Sequence, residues 1–122
     1  MANELRIAGS ITHANGARKQ NLAITTKSLT QTENRGTEKT VTVGATAEAI
    51  DFDDIVTPGL VFVENLDTAK TLTWGPDSSG TLIDCGTITP GMFALFEKAT
   101  AATLKWKSSS GNCEARLGAW GA

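Results

Sequence analysis

Apolar and polar residues alternate in short stretches along most of the chain. Leu5, Ile7 and Ile11 are separated by polar or small residues, and Leu22 and Ile24 repeat this alternation further on. A period of two is typical of strands with one buried face, whereas a helix repeats about every 3.6 residues. The pattern predicts about nine or ten short strands in all, and no helix longer than one turn.

Turn residues separate the predicted strands. Asn15-Gly16 predicts a tight turn, because both residues tolerate positive φ. Pro58-Gly59 and Pro90-Gly91 each predict a type II turn, since proline fixes φ at the first central position and glycine supplies positive φ at the second. Each of these pairs leads into an apolar run, 60–63 or 92–96. The first run is typical of a strand that is covered on both faces.

Many short strands divided by glycine and proline indicate an all-β fold, and we predict a single β-sandwich or jelly-roll-like domain. The two halves of the chain differ. Residues 1–46 are rich in Thr, Asn, Gln and Lys and contain no aromatic residue, whereas every Phe and Trp lies beyond them. We therefore place the sandwich core at 47–122 and an extended Thr-rich N-terminal arm, or peripheral strands, at 1–46. An arm that buries little apolar surface tends to order against a neighbour.

Charge and hydropathy exclude several kinds of partner. The 122 residues carry a net charge of −2, and a chain that binds phosphate backbones needs a basic face, so we expect no nucleic acid partner. No apolar run approaches the ~20 residues that cross a bilayer as a helix, so we expect no membrane partner. The first residues lack the apolar core of a secretion signal. We expect the chain to stay in the cytosol unless it leaves inside a larger particle.

Residues with catalytic chemistry are few. His13 is the single histidine, tyrosine is absent, and there is no nucleophile elbow or phosphate-binding loop. Cys85 and Cys113 lie far apart without zinc spacing, and we expect two buried free thiols, with a disulfide open as the alternative. We therefore predict that the chain is not an enzyme and holds no cofactor and no metal.

An acidic cluster offers one metal-site alternative. Glu48, Asp51, Asp53 and Asp54 have oxygen ligands of the kind that calcium prefers. Their spacing lacks the glycine and the distal glutamate of a calcium-binding loop. Charges along an exposed strand edge also prevent unwanted strand pairing, so a solvated edge is the favoured interpretation.

Three tryptophans offer a sugar-binding alternative, because aromatic faces stack on sugars. Trp74 and Trp106 alternate with polar residues and share a strand face with Leu72 and Leu104, which favours core packing. Trp120, near the end of the sequence, is the freest of the three. It is a candidate for contact with a neighbouring subunit or with a glycan.

The second half resembles a family of small structural proteins of tailed bacteriophages. A "TPG" turn, an apolar strand that ends in "NLD", a glycine-rich loop and a "PGE-ALF" segment occur in that order in the family. Met92 departs from the pattern, which has a charged residue there. The matching segments are Thr57–Gly59, Phe62–Asp67, Gly75, Asp77–Gly80, Ile88–Gly91, Ala94–Phe96 and Ala102–Leu104.

This resemblance implies a virion structural role, with no catalytic residue carried over. The leading hypothesis is a capsid decoration or cement protein on the capsid surface, present in the host cytoplasm during assembly. Its partners would be the major capsid protein or other virion proteins, and other copies of itself through strand addition by the arm. The alternatives are a tail, fibre or head–tail connector component, and a carbohydrate-binding module that uses Trp120 and Trp106. The candidate contact residues are Leu5, Ile7, Leu22, Ile24 and Trp120.

Overall fold

The structure is a computed structural model and describes residues 4–98 and 102–122. Within these ranges the chain is all-β, and none of its residues forms a helix of the length and apolarity that a membrane span requires. Contacts divide the chain into two compact units, one ending at Asn34 and the other beginning at Arg35. The strands are β1 (Glu4–Asn15), β2 (Arg18–Thr30), β3 (Gly36–Val43), β4 (Glu48–Ala49), β5 (Pro58–Asn65), β6 (Leu72–Ser78), β7 (Thr81–Leu82), β8 (Gly86–Ile88), β9 (Phe93–Glu97), β10 (Leu104–Ser108) and β11 (Cys113–Gly121).

The first unit is a long antiparallel hairpin of β1 and β2. Pairing runs from Glu4 opposite Thr30 to Asn15 opposite Arg18. The turn predicted at Asn15-Gly16 forms one residue later, because Gly16 takes a φ of 59° and Asn15 still pairs in the strand. The hairpin is a single layer, so neither of its faces is covered by a second sheet within its own unit.

The second unit is a sandwich-like pair of antiparallel sheets, which confirms the predicted fold class. The four-stranded sheet has the order β3-β11-β5-β9. The other sheet has the order β4-β10-β6-β7, and β8 also pairs with β6. Because side chains alternate across a strand, each sheet turns one set of residues inwards.

The inward residues of both sheets meet in one apolar core. Trp74 of β6 stacks on Phe96 of β9 with 4.1 Å between ring centroids and 2° between the planes, and so links the two sheets. Trp106 is only 2% exposed, as the core interpretation of its alternation predicts. The buried cluster consists of Val43, Ile50, Val61, Val63, Leu72, Ile88, Leu104, Trp106, Ala115 and Leu117.

A buried amide at the end of β5 connects both sheets. Asn65 is 0% exposed, and its side-chain NH₂ donates to the carbonyl oxygens of Lys70 at 2.8 Å and Ile88 at 2.9 Å. Its side-chain oxygen accepts the backbone N–H of Asp67 at 2.9 Å and the thiol of Cys113 at 3.3 Å. A buried polar group must be hydrogen-bonded to be tolerated, and this one is bonded on both of its atoms.

Asp67 shapes the loop that follows. Its carboxylate accepts the backbone N–H groups of Ala69 at 2.8 Å and Lys70 at 2.9 Å. These bonds hold the pKa of Asp67 below the ordinary value for an aspartate. The Asn and Asp of the "NLD" segment therefore serve the turn between β5 and β6.

The two Pro-Gly pairs adopt different structures. Pro90-Gly91 forms the predicted turn: Gly91 has a φ of 78°, and the N–H of Met92 donates to the carbonyl of Thr89 at 3.1 Å. The prediction for Pro58-Gly59 is wrong, because these residues begin β5 and Gly59 does not take a positive φ. A Cβ on Gly59 would lie 2.9 Å from the Cα of Ala122, so glycine is needed there for close approach.

Gly75 lets the chain pass close over β6. Both β7 and β8 pair with β6, and residues 83–85 connect them across Gly75. A Cβ at this position would lie 1.7 Å from the carbonyl oxygen of Ile83. Only a residue without a side chain fits, and this explains why two short strands replace one long one.

The boundary between the units lies earlier than the boundary drawn from composition at residues 46 and 47. Residues 36–43 form β3, which pairs with β11 along its whole length. Val43 is 0% exposed and Val41 packs against the core. The lack of aromatic residues in this segment does not exclude it from the sandwich, because two valines are enough for an edge strand.

We expect Asn65→Ala to lower the free energy of unfolding by about 3 kcal/mol, because it leaves the buried Ile88 carbonyl, and the part-buried Lys70 carbonyl and Asp67 N–H, without their partner. Chemical denaturation of the full chain measures the difference. Asn112→Ala, which removes an exposed side chain in the same unit, is the control and should change stability little. Equal losses of unfolding free energy in the two variants would contradict the stabilising role of the Asn65 hydrogen bonds.

Candidate protein-interaction site

The hairpin has one apolar face, and a bulge makes it continuous. Ile7 lies opposite Lys27 and Gly9 opposite Ile24, so Thr25 and Thr26 together face the single residue Ala8. Such an extra residue shifts the side-chain alternation of β2 by one position. It brings the even-numbered and the odd-numbered apolar residues of β2 to the same side. We call this side the apolar hairpin face; it consists of Leu5, Ile7, Ile11, Leu22, Ile24 and Leu29.

This face is open to solvent over much of its length. Ile11 lies opposite Leu22, and the two are 59% and 53% exposed. Ile24 is 39% exposed. The ionisable residues on the same side between residues 5 and 29 are Arg18, Lys27 and His13, and none is acidic. A contiguous exposed apolar strip of this kind marks a candidate interaction surface.

The structure brings four of the five predicted contact residues together. Leu5, Ile7, Leu22 and Ile24 all belong to the apolar hairpin face, whereas Trp120 lies in the second unit. Sequence reasoning did not place Leu29 in this set. Leu29 has an odd number and Leu22 and Ile24 have even numbers, so simple alternation places Leu29 on the opposite side of β2. The bulge that brings all three to one side exists only in the pairing with β1.

A second surface lies on the outward side of the four-stranded sheet. Phe62 of β5 stacks on Phe93 of β9 with 5.5 Å between centroids, and the guanidinium of Arg116 lies 5.3 Å from the Phe62 centroid. Phe93 is 57% exposed and Leu95 is 41% exposed. We call this surface the aromatic face; its apolar members are Phe62, Phe93, Leu95 and Trp120.

Trp120 lies over two glycines on this face. A Cβ on Gly36 would be 2.9 Å from the Trp120 Cδ1, and a Cβ on Gly118 would be 3.0 Å from its Cη2. The indole therefore rests close to the backbone of β3 and β11. It borders a cavity of about 230 Å³ that Phe62 and Arg116 also line. A partly exposed indole beside a cation and a phenyl ring provides a flat surface for stacking.

Trp106 is not available for any ligand. It is 2% exposed and lies in the core, so the prediction that a carbohydrate site uses Trp106 is wrong. The alternating pattern of β10 turns Trp106 inwards and the lysines on either side of it outwards. A glycan site in the second unit is thereby reduced to Trp120 and its neighbours.

Three of the four carboxylates of the acidic cluster lie beside basic side chains: Asp51 and Asp53 beside Lys39 of β3, and Asp54 beside Arg35, whose Nε is 3.8 Å from the carboxylate. Lys39 donates to Asp53 at 2.8 Å, and its Nζ lies 3.8 Å from Asp51. The Arg35 guanidinium donates to the backbone carbonyl of Asp54 at 2.7 Å. The hydrogen bonds from Lys39 and Thr37 hold the pKa of Asp53 below its usual value. Among the described residues, no three acidic, histidine or cysteine side chains are grouped as metal ligands.

The two cysteines are in different environments. Cys113 is buried beside Asn65, and burial raises the pKa of its thiol. Cys85 is exposed, so the prediction that both thiols are buried is wrong for it. Cys85 is the last residue of the segment that crosses over Gly75, and its backbone N–H donates to the Trp74 carbonyl at 3.0 Å. Both cysteines are free.

His13 lies on the hairpin near its turn. It is exposed and sits opposite Gln20 in the β1–β2 pairing. The shallow cavity that it lines is otherwise formed by Arg18, Lys19 and Gln20. Among the described residues that line this cavity, none carries a hydroxyl or a thiol.

Comparison of the chain with protein-family models, with curated proteins and with solved structures gives no match.

The cluster around Asp53 should contribute to stability above the ordinary aspartate pKa of 3.8. A folded-state pKa below the unfolded one stabilises the fold at higher pH, and the contribution is lost as pH falls through the folded value. We expect Asp53→Asn to be less stable than the wild type at neutral pH, with the difference vanishing in acid. Asparagine also tolerates the φ of 54° at this position.

Urea denaturation over a pH series measures this difference. Asp84→Asn, which removes an exposed carboxyl elsewhere in the same unit, is the control. A stability difference for Asp53→Asn that stays constant from neutral pH into acid would show that the Lys39 and Thr37 contacts do not act through the charge of Asp53.

Proposed function

We propose that the chain is a structural virion protein of a tailed bacteriophage, and specifically a capsid decoration or cement protein that stabilises the shell through protein–protein contacts. The apolar hairpin face carries this proposal. A two-stranded hairpin is marginally stable alone in water, and its exposed Ile11 and Leu22 gain stability when another protein covers them. The resemblance of residues 57–107 to tailed-phage proteins supports the virion setting.

The sandwich and the hairpin have complementary tasks in this proposal. The sandwich has one continuous apolar core and broad sheet surfaces, which suits it to sitting on a shell. The hairpin offers a long apolar strip that joins the body to a neighbour. Both tasks need extended, unreactive surfaces, which agrees with the scarcity of catalytic side chains around the exposed faces.

Virions of the phage whose genome encodes the chain provide the test. We expect quantitative mass spectrometry of gradient-purified particles to find this protein in a ratio near one, or one to a few, relative to the major capsid protein. A handful of copies per particle would support the alternative of a tail, fibre or connector component. Complete absence from particles would overturn the virion proposal.

A carbohydrate-binding module is the second candidate, and the position of Trp120 favours it. The indole lies close to Gly36 and Gly118, beside Arg116 and Glu38, so a sugar ring could stack on it and bond to polar groups at its edge.

We then expect cell-wall glycan fragments to change the tryptophan fluorescence in a saturable way, and Trp120→Phe to reduce the change. Leu95→Ala, which alters the same face away from the cavity, is the control. An unchanged fluorescence across peptidoglycan and teichoic acid fragments would dispose of this candidate.

A further inference from the structure

The apolar hairpin face and the aromatic face carry opposite charge. The hairpin face has Arg18 and Lys27 and no carboxylate between residues 5 and 29. The aromatic face has one basic residue, Arg116, whose charge is offset by Glu64 at 3.0 Å and Glu38 at 3.7 Å. The carboxylates on the outward side of that sheet are Glu38, Glu64, Glu97 and Glu114.

The same asymmetry holds for the whole chain. Residues 1–34 contain four basic and two acidic residues, whereas residues 35–122 contain seven basic and eleven acidic residues. Two copies of the chain therefore attract each other when the hairpin of one approaches the sandwich of the other. Two hairpins, or two sandwiches, repel each other at long range.

The apolar hairpin face and the aromatic face also have the same type of surface. Both are sheet surfaces with a strip of exposed apolar side chains. Ile11 and Leu22 form the most exposed part of one strip, and Phe93 and Leu95 form that of the other. Sheets pack face to face at about 10 Å when their apolar side chains interdigitate. Packing of this kind would cover both strips at once.

We infer that the apolar hairpin face of one copy packs against the aromatic face of a second copy. This inference rests on the proposed function, for which it supplies the neighbour that the hairpin binds. It replaces strand addition with face-to-face packing as the mode of contact. The contact uses two different surfaces, so it is heterologous and leaves one hairpin and one aromatic face free at the ends of each pair.

Mixing two defective variants tests this inference. Ile11→Glu places a charge in the hairpin face, and Leu95→Glu places one in the aromatic face. Each variant alone should self-associate at least about tenfold more weakly than the wild type, since a buried aliphatic side chain is replaced by a charge. An equimolar mixture should recover a one-to-one complex, because each partner keeps the face that the other lacks.

Matched controls separate the contact from folding. Thr12→Glu changes the residue next to Ile11 on the opposite side of the hairpin, and Thr87→Glu changes an exposed position on the other sheet. Both should leave association within about twofold of the wild type. Lys27→Glu should weaken association by about two- to fivefold, whereas Lys19→Glu, on the opposite side of the hairpin, should have less effect.

Analytical ultracentrifugation over a concentration series gives the association state of every sample. A wild-type chain that stays monomeric at the highest concentration overturns the inference, and so does a mixture that recovers no complex while each variant is folded. Recovery in the mixture together with absence of the protein from virions would leave this contact standing and reject the proposed function. A high copy number in virions together with a monomeric chain would leave the proposed function standing and reject this contact.

Discussion

The buried side chain of Asn65 is the constraint on which the sandwich depends. It ends the central strand β5 of one sheet, reaches the carbonyl of Ile88 in the other sheet, and holds the loop after β5 through Lys70 and Asp67. An amide buried without these partners would cost more than most single contacts contribute. The register of β5 is thereby fixed at one end, and a one-residue slip would turn every side chain to the opposite face. The outward position of Phe62, and with it the aromatic face, follows from this register.

The hairpin obeys a different constraint. It has two strands and no second layer of its own, so its apolar side chains cannot form a core within the unit. The bulge opposite Ala8 nevertheless keeps all of these side chains on one face, where a strand without the bulge would divide them between both faces. Six large aliphatic residues on one side of a two-stranded hairpin favour binding to another protein, because only a second surface can bury them. In this view, the stability of the hairpin and its binding have one physical origin, the burial of the same apolar strip.

The sequence predicted correctly those features that depend on residues close together in the chain. The alternation gave the all-β class, the core position of Trp106, and the grouping of Leu5 and Ile7 on one side of a strand. Pro90-Gly91 behaved as its dihedral preferences require, whereas Pro58-Gly59 did not, because the approach of Ala122 and the pairing of β5 decide its conformation. The same limit explains the other surprises. The role of Leu29 depends on a bulge in a pairing, the membership of residues 36–43 in the sandwich depends on β11, and the neutralisation of Asp53 depends on Lys39, fourteen residues away.

A heterologous contact between copies raises the question of what limits it. Because each added copy presents the same free faces again, the contact alone would produce rings or open chains. The hairpin strip is narrow and its charges are few, so a single contact is weak in dilute solution. On a regular shell, each copy is held beside its neighbours at high effective concentration, and a weak contact repeated around the lattice becomes stable as a set. The proposed arrangement therefore predicts small, reversible complexes that grow with concentration in free solution, and full coverage of the hairpins only where a lattice holds many copies side by side.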